Sequence, residues 1–65
     1  MPTEAQLRVL RLLPSGLSGR EIARELYLSH DTVKSHTRAL YRTLGVTTRP
    51  EAVARARALG LLSDG

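Results

Sequence analysis

The sequence predicts an all-α fold, a four-helix bundle-like domain that contains a helix-turn-helix. Three observations lead to this prediction. A Ser or Thr stands three positions before a Glu or Gln at three places in only 65 residues, and this spacing marks helix starts. Apolar residues recur at helical spacing, while the period-2 alternation of a half-buried strand is missing from the sequence. A chain of this length also has room for one domain only.

The first two helices are predicted over residues 4–13 and 19–26. Thr3 is the N-cap of the first helix, and Pro14 lies just beyond its end, where a residue without an amide N–H stops a helix. Ser18 is the N-cap of the second helix. The second helix is short, and only a few residues separate it from the next helix start.

The third and fourth helices are predicted over residues 30–44 and 49–59. Ser29 is the N-cap of the third helix, and Gly45 ends it, since glycine best tolerates the left-handed conformation that follows a helix. Thr48 is the N-cap of the fourth helix. The four predicted helices account for most of the chain.

Composition favours a polyanionic partner. Ten Lys and Arg residues oppose six Asp and Glu residues, which gives a net charge of +4. The only aromatic residues are Tyr27 and Tyr41, too few for the stacking surfaces that hold single-stranded nucleic acid, so duplex DNA is the favoured partner. The sequence contains no apolar run of membrane-spanning length and no signal peptide. We therefore expect a cytoplasmic protein without a membrane partner.

The third predicted helix carries two different faces. Lys34, Arg38 and Arg42 are spaced four residues apart, while Val33 and Leu40 belong to an apolar stripe. The centres of the two stripes lie roughly 130° apart around the helix. Because like charges at this spacing repel each other, a row of three cations indicates an anion outside the protein.

The second and third helices, with their short connection, fit a helix-turn-helix. In this motif the third helix enters the major groove of DNA with its N-terminal half near the base edges. The candidate base contacts are Lys34, Ser35 and Arg38. Arg38 is the strongest candidate for specificity, since a guanidinium group can donate two hydrogen bonds to O6 and N7 of guanine.

Several residues around this surface are candidates for phosphate contacts, which fix the register of a protein on DNA without reading its sequence. Their side chains carry hydroxyl, imidazole or guanidinium groups. They are Arg20, Ser29, Thr32, His36, Arg42, Thr48 and Arg49.

The stretch GLSGREIARELYLSHDTVKSHTRALYRTLGV is similar to the DNA-binding domain of the LuxR-type (GerE-like) bacterial transcription regulators. The segments EIARELYLS, TVKSH and LYRTLGV match in register. The resemblance implies a four-helix output domain of a transcription regulator whose third helix reads the major groove. It also implies base contacts at Lys34, Ser35 and Arg38, the positions reached above from helix geometry.

The resemblance further implies that the fourth helix serves dimerisation. Ala54 and Ala58 are small and lie away from the centre of its inner stripe, so a second copy could approach closely there. We therefore expect a weak homodimer on DNA, and RNA polymerase is a further candidate partner.

Two other interpretations remain open at this point. Sigma-factor-like promoter readers also carry Glu-Ile-Ala and Thr-Val-Lys near a helix-turn-helix. Alternatively, the chain is a protein-interaction module that uses its first and fourth helices, and its basic face serves solubility only. Loss of DNA binding on removal of Lys34 and Arg38 would distinguish DNA recognition from the second alternative.

No catalytic or metal site is predicted. Ser35 and His36 are neighbours on a helix and so do not face each other, which prevents the proton sharing of a catalytic triad. His30 and His36 are six residues apart and point to different sides of the helix, so they do not form a two-histidine metal site. We expect a binding domain that is not an enzyme and uses no cofactor.

Overall fold

The computed structural model describes residues 2–62, which form four α-helices and one short 3-10 turn. Their bounds are α1 (Glu4–Leu12), the 3-10 turn (Leu13–Ser15), α2 (Gly19–Leu26), α3 (His30–Leu44) and α4 (Arg49–Ala58). No strand occurs in this range, and the predicted all-α fold class is confirmed. The ranges expected for the second and third helices coincide with α2 and α3.

The first and fourth helices each end one residue earlier than predicted. Leu13 belongs to the 3-10 turn, since Pro14 has no amide N–H with which to continue the α-helical pattern. Leu59 is the C-cap of α4, and Gly60 follows it in the left-handed conformation with φ of 77°. Leu59 is 52% exposed, so it is not part of the buried face that Ala52 and Ala56 form.

The three predicted helix starts form their caps to different degrees. At Ser18 the bonds are reciprocal, because its hydroxyl accepts from the amide of Glu21 while the Glu21 carboxylate accepts from the amide of Ser18. At Thr3 only the hydroxyl takes part, accepting from the amide of Gln6 at 3.2 Å. The buried Oε1 of Gln6 has no hydrogen-bond partner, so the reciprocal bond expected from its side chain is not made.

The core lies where α3 packs against α1, α2 and α4. Its residues are small or medium-sized aliphatic side chains, and the structure contains no buried aromatic ring among the described residues. They are Val9, Leu10, Leu13, Ile22, Ala23, Val33, Leu40, Leu44, Ala52 and Ala56. Because α3 contacts each of the other helices, the core fixes its orientation, and with it the direction in which its outer face points.

The residues after α3 close one side of the core. Gly45 adopts a left-handed conformation with φ of 72°, and the amide of Val46 then donates to the carbonyl oxygen of Tyr41 at 2.9 Å. Val46 packs against the buried cluster. None of the helices within residues 2–62 has the length and apolar character needed to cross a membrane.

Candidate nucleic-acid interface

A three-residue connection, Tyr27 to Ser29, joins α2 to α3. Tyr27 takes the left-handed conformation with φ of 58°, and the amide of Leu28 donates back to the carbonyl oxygen of Ala23 at 2.9 Å. These features end α2 abruptly. Ser29 then caps α3 by accepting from the amide of Thr32. The two helices share the buried side chains of Ala23 and Val33, so their crossing is set by the core.

The exposed face of α3 contains all three candidate base contacts. Val33 and Leu40 are buried on the inner face, whereas Lys34, Ser35 and Arg38 are exposed on the other side. Successive residues turn by about 100° around an α-helix, so these three side chains lie within one sector of roughly 100°. The structure thus brings together the residues that the sequence singled out for base contact.

The cations of this face have no partner inside the described part of the chain. Neither a hydrogen bond nor an ion pair joins Lys34, Arg38 or Arg42 to any other side chain within residues 2–62. Their charges therefore remain available to an external anion, and their mutual repulsion falls when such an anion binds.

A shallow groove of about 410 Å³ lies beside Lys34 and Arg38, between α3 and the start of α2. Ile22 and Val33 contribute to its apolar floor, and Tyr41 lines it further along α3. The groove therefore presents apolar surface next to two cationic groups, on the same side of the molecule as the candidate base contacts.

Ser29 and Thr32 share their hydroxyl groups at the start of α3. The Ser29 hydroxyl accepts from the amide of Thr32 at 3.1 Å and donates its proton to the Thr32 hydroxyl oxygen at 2.8 Å. The hydroxyl proton of Ser29 is therefore already used in a hydrogen bond at the cap. Thr32 keeps its own hydroxyl proton, so Thr32 is the member of this pair that can donate to a phosphate oxygen.

The hydroxyl proton of Thr48 is likewise used in a hydrogen bond, at the start of α4. Its hydroxyl donates to Oε1 of Glu51 at 2.8 Å, and the same carboxylate oxygen accepts from Thr47 at 3.1 Å. The Thr48 proton is therefore engaged in the helix cap, and the phosphate contact expected of this residue stays a prediction.

Arg49 also differs from its expected role. All three guanidinium nitrogen atoms donate to main-chain oxygen atoms: Nε and Nη2 to Leu13 at 2.9 and 2.7 Å, and Nη1 to Leu17 at 2.6 Å. The side chain is half-buried. Burial raises the pKa of Tyr41 while the Arg49 charge opposes this effect, so the two groups are close. This geometry gives Arg49 a structural role in the free domain, and the phosphate contact expected of it stays a prediction.

The remaining predicted phosphate contacts differ in orientation. Arg20 and Arg42 are exposed, and neither has a side-chain partner in the described residues. His36 is half-buried and lies roughly 150° around α3 from the centre of the candidate base contacts. Arg20 and Arg42 are thus the better placed cations, whereas His36 faces toward the body of the domain.

The outer side of α4 carries two small residues beside the exposed charged residues Glu51, Arg55 and Arg57. Ala54 and Ala58 are exposed, while Ala52 and Ala56 on the opposite face of the helix are fully buried. Leu59, the C-cap of α4, is an exposed apolar side chain that lies roughly 120° around the helix from this pair.

Two helices joined in this manner, the second with an unpaired cationic face, define a helix-turn-helix DNA-binding domain. Known proteins of similar sequence agree with this class. Residues 3–56 match the family described as "Bacterial regulatory proteins, luxR family". The chain belongs to this family, so the all-α domain found here is a DNA-binding domain of the kind found in bacterial transcription regulators.

The similar proteins are regulators of much greater length. The chain is 42% identical over 60 residues to the HTH-type transcriptional regulator AlkS of Alcanivorax borkumensis. The aligned residues make up 92% of this chain and 7% of AlkS. It is 46% identical over 57 residues to the HTH-type transcriptional regulator MalT of Yersinia pestis. These aligned residues make up 88% of this chain and 6% of MalT.

A solved structure of similar fold is the response regulator ChrA of a heme-sensing two-component system. It superimposes with a TM-score of 0.91 at 35% sequence identity, over 95% of this chain and 31% of ChrA. The match therefore covers nearly all of the chain described here but less than a third of that protein.

Proposed function

We propose that the chain is the output domain of a bacterial transcription regulator and binds specific sequences of duplex DNA with α3 in the major groove. The observation that supports this proposal most strongly is the exposed face of α3. Lys34, Ser35 and Arg38 share it without internal partners, while the opposite face is held by the core. A helix oriented by its core, with unpaired donors outward, can read base edges without rearrangement.

The chemistry of this face suits the groups that bases present in the major groove. Arg38 can donate to O6 and N7 of guanine, and Lys34 can donate to either atom. The apolar groove beside them can accept the methyl group of thymine. Ser35 can donate or accept and therefore adds little discrimination.

Phosphate contacts come from the residues whose donors are free. Arg20 lies in the first turn of α2, Thr32 in the first turn of α3, and Arg42 in its last turn. These positions flank the base-contacting face at both ends. We assign the sequence-independent part of the affinity to these three residues, and the caps Ser18 and Ser29 position α2 and α3, the helices that carry them.

A second copy binds through α4 in this proposal. Ala54 and Ala58 are small and exposed, so they allow close approach of two helices at this surface. The contact is small, so the dimer forms mainly when two copies occupy adjacent half-sites on cytoplasmic DNA.

Fluorescence anisotropy of a labelled mixed-sequence duplex tests DNA binding. The unmodified chain should lose affinity steeply between about 50 and 200 mM salt, because bound Lys and Arg side chains release counterions from the phosphates. The variant with Lys34→Ala and Arg38→Ala should bind far more weakly than the control with Arg8→Ala and Arg55→Ala. Both variants lose the same charge, and the control cations are exposed on α1 and α4. Equal losses in the two variants would contradict the proposal.

The role of α4 needs a separate measurement. Ala54→Glu together with Ala58→Glu should leave binding to a single half-site unchanged and lower the affinity for a duplex with two half-sites. Analytical ultracentrifugation of the protein–DNA complex gives the stoichiometry. Unchanged binding of two copies to the longer duplex would overturn the assignment of this surface.

A further inference from the structure

One acidic residue lies on the same face of α3 as the candidate base contacts. Asp31 is exposed and stands seven residues before Arg38 and four before Ser35, so at about 100° per residue its position around the helix lies between theirs, about 20° from Arg38. No side-chain hydrogen bond or ion pair joins its carboxylate to the rest of residues 2–62. The carboxylate therefore faces the proposed DNA surface without a partner of its own.

A carboxylate on a DNA-binding face is unfavourable unless it meets a hydrogen-bond donor. The phosphates of the duplex repel it, and guanine and thymine present only acceptors for hydrogen bonds in the major groove. Adenine presents the N6 amino group, but the acceptor N7 lies beside it. Cytosine presents the N4 amino group with no acceptor of its own next to it. Cytosine is therefore the base that best matches a carboxylate, which can only accept hydrogen bonds.

We propose that Asp31 is a specificity-determining residue that accepts a hydrogen bond from the N4 amino group of a cytosine. The proposal rests on the proposed function, since it requires α3 in the major groove. The rise from Asp31 to Arg38 is about 10 Å along the helix, which corresponds to about three base-pair steps. The cytosine thus lies about three base pairs from the base that Arg38 contacts.

The same residue lowers binding to other sequences. At a site without cytosine in the required position, the Asp31 carboxylate is desolvated against acceptors or phosphates and has no donor to compensate. Asp31 acts as a selective element in this way, whereas Arg20 and Arg42 attract any duplex.

Asp31 also stabilises the first turn of α3 through its position at the positive end of the helix dipole. That effect is independent of DNA sequence. A test must therefore follow base preference, which a purely structural role would leave unchanged.

Selection of binding sites from a random duplex library tests the proposal. The unmodified chain should enrich one position for cytosine, and changing that base should weaken binding about tenfold. Asp31→Ala should keep the preferences at the other positions and lose this one. Asp31→Asn should change it to adenine, since an amide side chain matches N6 and N7 of adenine. Glu25→Gln is the control, because it removes one exposed negative charge from α2.

The possible outcomes separate this proposal from the proposed function. If the unmodified chain and all variants select sites with the same base preferences, the role of Asp31 is overturned and DNA recognition by α3 is left intact. A uniform rise in affinity on every duplex, as large as that of the Glu25→Gln control, would show a general charge effect and also overturn it. Failure of the unmodified chain to enrich any sequence would overturn both proposals. Circular dichroism of each variant verifies that it is folded.

Discussion

Nη2 of Arg49, at the first residue of α4, donates to the main-chain oxygen of Leu13 at 2.7 Å, just after the end of α1. Carbonyl groups at the end of a helix have no amide partner within it. The Arg49 guanidinium supplies that partner, and through Nη1 it also binds the oxygen of Leu17. One side chain thus fastens the start of α4 to the segment between α1 and α2.

Arg49→Ala should lower the free energy of unfolding by about 2 to 3 kcal/mol, because charge-assisted hydrogen bonds to partly buried carbonyl groups would be lost. Urea denaturation followed by circular dichroism measures the change. Arg55→Ala is the matched control on the same helix and should have little effect, since Arg55 is exposed.

The Arg49→Ala variant also separates a structural role from a phosphate contact. Where the variant is still folded, its affinity for duplex DNA should show the same salt dependence as the unmodified chain. Unchanged stability with a smaller salt dependence would restore Arg49 to the set of phosphate contacts.

Tyr27→Gly should stabilise the domain by about 1 kcal/mol, because a residue with a Cβ is disfavoured in the left-handed conformation and glycine is not. Tyr27 is 95% exposed, so its ring contributes little packing that would be lost. Thermal unfolding measures the change. Tyr27→Ala keeps the backbone strain and should leave stability nearly unchanged. A loss of stability in the glycine variant would contradict this account of the turn.

Stability should fall as the pH drops below about 5. The Ser18 amide and hydroxyl lower the pKa of Glu21 from 4.5, and the Thr48 and Thr47 hydroxyls do the same for the pKa of Glu51. A carboxylate with a lowered folded-state pKa stabilises the fold above its unfolded-state pKa. This contribution is lost as the pH falls through the folded-state value.

Urea midpoints between pH 7 and pH 3 test the role of these two carboxylates. Glu21→Gln combined with Glu51→Gln should flatten the acid side of the profile. Glu4→Gln is a control in the first turn of α1, since Glu4 carries no resolved hydrogen bond to a cap. If the stability of the double variant falls with decreasing pH as steeply as that of the unmodified chain, other groups cause the loss of stability.

Arg38→Ala and Arg42→Ala should affect DNA binding in different ways. Loss of Arg38 should cost about 1 to 3 kcal/mol on the preferred site and relax selection at one base. Loss of Arg42 should weaken all sequences alike and reduce the salt slope by about one. Titration of matched and mismatched duplexes at several salt concentrations measures both. Equal losses on every duplex for both variants would remove Arg38 from the base contacts.

The helices were predictable from sequence because their start signals are local. Ser18 and Glu21 are three residues apart, and the cap they form depends on little else. The two faces of α3 were predictable for the same reason, since a spacing of three or four residues fixes which side chains share a face. The predicted ends of the first and fourth helices differ from the observed ends, Leu12 and Ala58, by one residue each. A helix can stop in more than one way before a residue such as Pro14 or Gly60, so the sequence does not fix the last helical residue.

The roles of Arg49 and Ser29 could not be predicted in this way. The carbonyl groups that Arg49 binds lie 32 to 37 residues earlier in the chain, and only the tertiary fold brings them within reach. Ser29 was identified as a cap, but the direction of its proton toward Thr32 depends on a side-chain rotamer. Sequence spacing reports which residues share a face, and the structure is needed to show which donors are already used.

An NMR titration of the ¹⁵N-labelled chain with its selected duplex tests whether α3 reads duplex DNA. We expect the largest chemical-shift changes along α3 from Asp31 to Arg42, with intermolecular contacts between the Arg38 side chain and base protons of the major groove. Amide signals of Arg8 and Arg11 on α1 should move little. Largest shifts on α1, with the signals of α3 unchanged, would contradict it.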